Sequence, residues 1–187
     1  MTNVIRPGNQ INITRDIKKP RRMKSLRSAY KMKGEYMKIR VINGPNINML
    51  GIREPDIYGR TTYEDLVRLI EQHAKDTDTE VEVMQSNHEG DLVDMLQECY
   101  RKVDGIVINP GAYTHTSVAI LDALKAVSIP AIEVHISKVD EREDFRQISY
   151  IRKACIETIS GHGINGYIEA MDHLKEHILE NKQTDKA

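Results

Sequence analysis

The chain has 187 residues, 40% of them hydrophobic and 29% charged, with a formal net charge of −1, which is enough apolar material for one compact core. No apolar run approaches the roughly eighteen residues of a membrane span, and the polar, basic N-terminus lacks the apolar segment of a secretory signal. Two distant cysteines, Cys99 and Cys155, exclude a disulfide scaffold or a cysteine-rich zinc module, and 5% aromatics with no Trp argue against a base-stacking platform.

The near-neutral total hides a split. Residues 1–36 carry ten Lys/Arg against Asp16 and Glu35, a net of +8, which leaves 17 basic and 26 acidic residues, a net of −9, for the rest. The first segment has almost no apolar periodicity and is expected to be a disordered, basic extension. It suits contact with nucleic acid or a membrane, an Arg-rich targeting role, or no role beyond lying upstream of Met37, where the folded part naturally starts. A single domain is expected over residues 37–180, followed by a polar tail at 181–187. A reducing cytoplasm is the expected compartment.

From Met37 short apolar runs alternate with amphipathic stretches. Lys38–Asn43 reads as a buried strand, followed by a turn-rich connection from Gly44 to Thr61. Leu66, Leu69, Ile70 and His73 share one helical face. Glu80–Gln85 alternates as a half-buried strand does, and Leu92, Met95, Leu96 and Cys99 mark a second helix. Gly105–Asn109 is a continuous apolar run of the kind found in a central parallel strand. Val118, Leu121 and Leu124 predict a third helix, and Ile129–Ile136 a fourth strand. A short charged helix around Glu143–Arg146 leads to a fifth strand at Cys155–Ser160, and Ile168, Met171, Leu174 and Ile178 line a last helix. Five such βα units predict an α/β, flavodoxin-like domain: a five-stranded parallel sheet with helices on both faces. Ligands then bind beyond the carboxyl ends of the strands, just after Asn43, Gln85, Asn109, His135 and Ser160.

The residues at those ends narrow the chemistry. Pro45 removes a backbone donor from Asn43-Gly44-Pro45-Asn46, and neither a dinucleotide nor a P-loop glycine pattern occurs. A receiver domain needs carboxylates for Mg²⁺ where this chain has Asn43 and Asn109. Nucleotide, flavin and phospho-acceptor functions are all weakened. The first connection is far longer than the roughly 2–6 residues usual in βα units, which suits a binding loop around Arg53 and Tyr58 as well as a solvated loop with a packed Tyr. Thr114 is expected to cap the third helix, with His115 in its first turn, where a neutral imidazole could donate to a ligand oxygen. Glu133 and His135 lie two apart on one strand face, so the carboxylate could orient the imidazole. Arg142 and Arg146, four apart, suit a carboxylate ligand or surface pairing with Glu143 or Asp144. Both cysteines read as core residues, and His162, His173 and His177 show no metal-ligand pattern.

Taken together, Ile42-Asn43-Gly44-Pro45-Asn46, Arg53-Glu54-Pro55 with Tyr58-Gly59, Gln85-Ser86-Asn87, Asn109-Pro110-Gly111 through Thr114-His115-Thr116-Ser117, Ile132 through Ser137, Arg142 through Arg146 and Gly163 through Tyr167 resemble the type II 3-dehydroquinate dehydratases. The resemblance runs from about Met37 to Ile178 and has no counterpart for residues 1–36. It implies a cytoplasmic lyase, a hydro-lyase of the shikimate pathway toward chorismate and the aromatic amino acids, that converts 3-dehydroquinate to 3-dehydroshikimate without metal, cofactor or Schiff base. It implies trimers, usually four of them in a dodecamer, with no membrane or nucleic-acid partner. By the same resemblance Tyr58 is the base, Arg53 the cation beside it, and Asn46 the holder of a water at the enolate oxygen. His135, steered by Glu133, is the acid. Asn109, His115, Ile136, Ser137 and Arg146 bind substrate, Arg142 is a second loop-closing arginine, and Asp122 lies at a trimer contact facing a neighbour's site. The chemistry is coherent: a guanidinium lowers a tyrosine from its ordinary value near 10, and a histidine near 6.5 suits protonation of a leaving hydroxyl.

Overall fold

The computed structural model describes residues 36–52, 61–139 and 143–184. Arg53, Tyr58 and Arg142, and all of residues 1–35, lie outside the described residues. Five strands, β1 (Met37–Asn43), β2 (Thr79–Gln85), β3 (Gly105–Asn109), β4 (Ala131–His135) and β5 (Glu157–Ser160), form one parallel sheet in the order β2-β1-β3-β4-β5. Helices α1 (Tyr63–Asp76), α2 (Glu89–Glu98), α3 (Val118–Val127) and α4 (Asn165–Thr184) cover it. The α/β, flavodoxin-like architecture expected from the alternation is the one found.

Side-chain parity divides the core in two. Met37, Ile39 and Val41 of β1, Val107 of β3 and Ile132 and Val134 of β4 face α1 and α4. Ile42, Ile106, Ile108 and Ala131 face α2 and α3. Central strands buried on both faces are largely apolar, as residues 105–108 of β3 are; β2 lies at the sheet edge, so its glutamates Glu80 and Glu82 stay in water. Arg40, within buried β1, is carried by Glu82 of β2, by the Met95 carbonyl of α2 at 3.3 Å and by Glu98 at 3.7 Å. Gly105 lets α4 approach closely: a Cβ there would sit 2.6 Å from Leu174 Cδ2.

Several local expectations change. Thr114 does not cap α3. It is buried in a 3₁₀ turn, Gly111–His115, and Ser117 caps the helix by accepting from Ile120 N at 2.9 Å. His115 therefore ends a 3₁₀ turn and is not in a helical first turn. Val118 is 53% exposed, because α3 buries the face of Ile120, Leu121, Leu124 and Val127. In α4 the buried side is led by Tyr167 and Ala170, with Ile168 only half-buried, and the helix continues to Thr184 into the segment read as a tail. The charged segment at 143–146 is a single 3₁₀ turn, Asp144–Arg146. Strand β5 begins at Glu157, after another 3₁₀ turn, Ile151–Ala154, so Cys155 lies in a half-buried link and only Cys99 is fully buried.

The register puts Asn43 opposite both Gln85 and Asn109, so three strands end level. The two loops that follow β1 and β3 then touch through backbone. Gly44 N donates to Asn109 O at 2.7 Å, and a Cβ on Gly44 would lie 2.5 Å from Pro110 O. Gly111 adopts φ +57° against the Pro45 carbonyl, a left-handed conformation that disfavours side chains. Gly44→Ala is therefore expected to destabilise the fold by about 1–3 kcal/mol through overpacking against rigid backbone, read as a lower urea midpoint at unchanged slope; an unaltered midpoint would show that the two loops can part without cost.

Candidate active site

In an open parallel sheet the crevice opens where neighbouring connections leave in opposite directions, here between β1 and β3. A cavity of about 290 Å³ lies there. Its walls include Pro45, Asn46 and Ile47 after β1, Asn109, Gly111 and His115 from the end of β3, His135, Ile136 and Ser137 from the end of β4, and Arg146. Seven residues singled out from the sequence thus line or support one cavity: Asn46, Asn109, His115, His135, Ile136, Ser137 and Arg146. Glu133 stands directly behind them. Asp122 does not join them; it is exposed on α3.

Glu133 has no solvent exposure, and a buried carboxylate is tolerated only when its lone pairs are filled. His135 Nε2 lies 2.9 Å from Oε1, Ser149 Oγ 2.9 Å from Oε1 and 3.1 Å from Oε2, Thr158 Oγ1 3.2 Å from Oε2, and the Thr114 hydroxyl also donates to Oε1. Burial pushes this carboxyl up, but hydrogen bonds from His135, Thr114 and Ser149 and the attraction of His135 hold it below its ordinary value. An ionised carboxylate only accepts, so the network puts the His135 proton on Nε2. Nδ1 is left as the nitrogen that can gain or lose a proton. The i, i+2 pairing legible in the sequence is present; Thr114, Ser149 and Thr158 were not legible as its partners.

The rest of the wall is amide-rich. Asn46, at φ 66°, donates its N–H to Asn87 Oδ1 at 3.0 Å, and Gln85 Nε2 donates to the same oxygen at 3.1 Å and to the Gly44 carbonyl at 3.3 Å. The Gln85-Ser86-Asn87 string thus props the loop that follows β1. His115 Nδ1 lies 2.8 Å from the Ile148 carbonyl. A carbonyl only accepts, so neutral His115 carries its proton on Nδ1, which leaves Nε2 as an acceptor. Arg146 lines the cavity while its Nε pairs with Glu143 Oε2 at 3.0 Å, so the expected surface pairing is present and the guanidinium also stands at the cavity wall. Beneath the floor, Tyr167 Oη lies 2.7 Å from Asn43 Oδ1 and 2.8 Å from Asn109 Nδ2. Nothing in the sequence except its place at the end of the Gly163–Tyr167 string marked Tyr167. Burial and the Glu133 charge push the Cys155 thiol up to about 12, which leaves it unreactive near neutrality.

The cage around Glu133 has a testable pH signature. Its depressed carboxyl contributes stability that is complete above the ordinary value of 4.5 and is lost as pH falls through the folded-state value. Glu133→Gln is expected to lower the unfolding free energy at pH 7 by roughly 3 kcal/mol, because donors are left facing a neutral amide. Urea titrations should show the gap from wild type narrowing as the pH is taken below 4.5; a gap independent of pH would mean that the carboxylate charge contributes nothing.

Comparison with known proteins agrees with this geometry. A family model described as dehydroquinase class II matches residues 37–175. The 3-dehydroquinate dehydratase of Clostridium acetobutylicum is 57% identical over 139 residues, covering 74% of this chain and 96% of that protein. The same-named protein of Caldicellulosiruptor bescii is 56% identical over 140 residues, covering 74% and 97%. Among solved structures, the type II dehydroquinase of Butyrivibrio crossotus superposes with a TM-score of 0.74 at 58% identity, covering 75% of this chain and 98% of that one. That of Propionibacterium acnes gives 0.71 at 39% identity over the same shares. Sheet order, site geometry and these similarities together establish that the chain belongs to the class II dehydroquinase family.

Proposed function

We propose that the chain removes water reversibly from 3-dehydroquinate to give 3-dehydroshikimate, by anti elimination through an enolate. The observation that carries this reading is His135, bound to a caged Glu133, on the rim of a cavity walled by Asn46, Asn109, His115 and Arg146. An acid-capable imidazole beside amides and a guanidinium suits a small, polyhydroxylated carboxylate whose ketone must carry transient negative charge.

The C2 proton lies alpha to the ketone, and its removal leaves an enolate. Tyr58 acts as base, and Arg53 supplies the cationic charge that favours the tyrosinate and balances the developing charge. Asn46 holds a water against the enolate oxygen. As the enolate collapses, the bond from C1 to its hydroxyl breaks. His135 supplies a proton from Nδ1, the group departs as water, and a conjugated enone remains. Glu133 stabilises the imidazolium and holds the ring through Nε2. Arg146 forks onto the substrate carboxylate, and Arg142 is assigned the role of a second, loop-closing arginine. Asn109, His115 and backbone groups of Ile136 and Ser137 hold the hydroxyls. No metal, cofactor or imine enters this scheme.

The exposed Asp122 serves the site of a neighbouring subunit within a trimer, and four trimers form a dodecamer. The expected compartment is the cytoplasm; among the described residues no helix is long and apolar enough to cross a membrane. Residues 1–36 take no part in the reaction.

The decisive assay follows enone absorbance from 3-dehydroquinate in the presence of a chelator and, separately, of borohydride. Undiminished signal in both is expected; no signal from folded protein would sink the reading, and loss with borohydride would indicate an imine route. Tyr58→Phe is expected to lower turnover by at least roughly a hundredfold, and near-normal turnover would remove Tyr58 from the base role. Deletion of residues 1–36 is expected to preserve both turnover and oligomer size, checked by the same assay and by light scattering; a smaller species would make the arm structural.

A further inference from the structure

Tyr167, a fully buried side chain beneath the site, has no task in the dehydration steps. Tyr167 has no solvent exposure and does not line the cavity, yet its hydroxyl lies between the side chains of Asn43 and Asn109. Those asparagines are register partners that end β1 and β3. Both sit on the strand face shared with Val41 and Val107, the face that α4 covers. Tyr167 stands at the start of α4, where the turn before the helix is tied to the end of β4 by Gly161 N to His135 O and Gly163 N to Ile136 O, each 3.1 Å.

The polarity of this chain of hydrogen bonds is determined by its backbone end. Gly111 N–H can only donate, and it lies 3.2 Å from one end of the Asn109 carboxamide, which must therefore be Oδ1. The other end, Nδ2, donates to Tyr167 Oη, and the Tyr167 proton then goes to Asn43 Oδ1. Burial pushes the Tyr167 hydroxyl above its ordinary value, so near neutrality it keeps its proton and acts as a hydrogen-bond donor. Asn109 is left with one N–H to offer the cavity, in an orientation that both of its other bonds fix.

We infer that Tyr167 is a positioning residue: through its hydroxyl it holds the Asn109 carboxamide in the rotamer that presents a donor to the substrate. This inference rests on the proposed dehydratase reading for its kinetic test but has a structural test of its own. Without the hydroxyl, Asn109 Nδ2 loses its buried acceptor, and the amide turns about its terminal torsion, which has a broad, roughly two-fold preference. The donor would then be misdirected while the rest of the site stays in place.

Tyr167→Phe keeps the ring that fills the core and removes only the hydroxyl. The expected kinetic result for the full chain is a KM for 3-dehydroquinate raised about tenfold, the worth of roughly 1.4 kcal/mol, with kcat within about threefold of wild type. Asn109→Ala should raise KM by a similar factor, and the double variant should be no worse than Asn109→Ala, since Tyr167 acts only through Asn109. Multiplying effects, or a Tyr167→Phe variant with wild-type KM, would overturn the inference, whereas a wild-type protein without turnover would overturn the dehydratase reading instead. A crystal structure of Tyr167→Phe decides the point without turnover: a rotated Asn109 amide, or one no longer within hydrogen-bond distance of Gly111 N, is expected. An Asn109 unchanged in position and contacts would refute the positioning role. If Tyr167→Phe fails to fold, Tyr167→Met, which also removes the hydroxyl while keeping a large apolar side chain in the core, is expected to raise KM in the same way, and an unchanged KM there would likewise refute it.

Discussion

The site depends on keeping one charge out of water. Glu133 sits on a central strand with no exposure, and the carboxylate survives there because hydroxyls and an imidazole converge on it from four places: the 3₁₀ turn after β3, β4 itself, the segment before Ile151, and β5. Leaving such a charge uncompensated would cost several kcal/mol. Satisfying it forces these segments into one arrangement. The same bonds that make the charge tolerable therefore aim His135 and set its tautomer, so stability and chemistry are met by one set of contacts.

A second constraint is geometric. Three strands end in the same register, and their loops meet backbone to backbone at Gly44, Pro110 and Gly111. Glycine at 44 and 111 is what permits the approach. Gln85 and Asn87 bind each other and the loop backbone, and Asn43 and Asn109 meet through Tyr167, which leaves neutral polar groups where related folds use carboxylates for Mg²⁺ or glycine loops for phosphate. Neutral dipoles fixed in advance suit a negative charge that appears only during reaction. Arg146 adds a positive charge to that wall, and its pairing with Glu143 holds the guanidinium there without burying it fully.

The ion pairs away from this rim do a different job. His73 with Asp172 and His173 with Glu157 tie α4 to α1 and β5. The Glu157 hydrogen bond raises the His173 imidazole, so that pair strengthens below neutrality and fades as pH rises through the raised value. Partly exposed pairs of this kind contribute little each. The docking of α4 rests on its apolar face and on the close seat of Leu174 over Gly105.

Patterns confined to a few neighbouring residues were legible in the chain itself. Apolar runs at Lys38–Asn43 and Gly105–Asn109 and helical spacing between them determined the parallel α/β sheet, because periodicities of 2 and 3.6 are local properties. Parity along one strand put Glu133 and His135 together, and the residues just past each strand end marked the site. Tertiary structure alone decided which distant groups answer them. Ser149 and Thr158 reach Glu133, Ser117 takes the capping place expected of Thr114, and Tyr167 crosses 124 residues of chain to reach Asn43. Such contacts are made by faces that only packing brings together, and neither residue type nor spacing encodes which of many hydroxyls will be the one buried beside a charge. The exposure of Val118 and the half-burial of Ile168 follow from the same cause, since an apolar residue on a helix face declares its preference but the neighbouring elements determine whether it is covered.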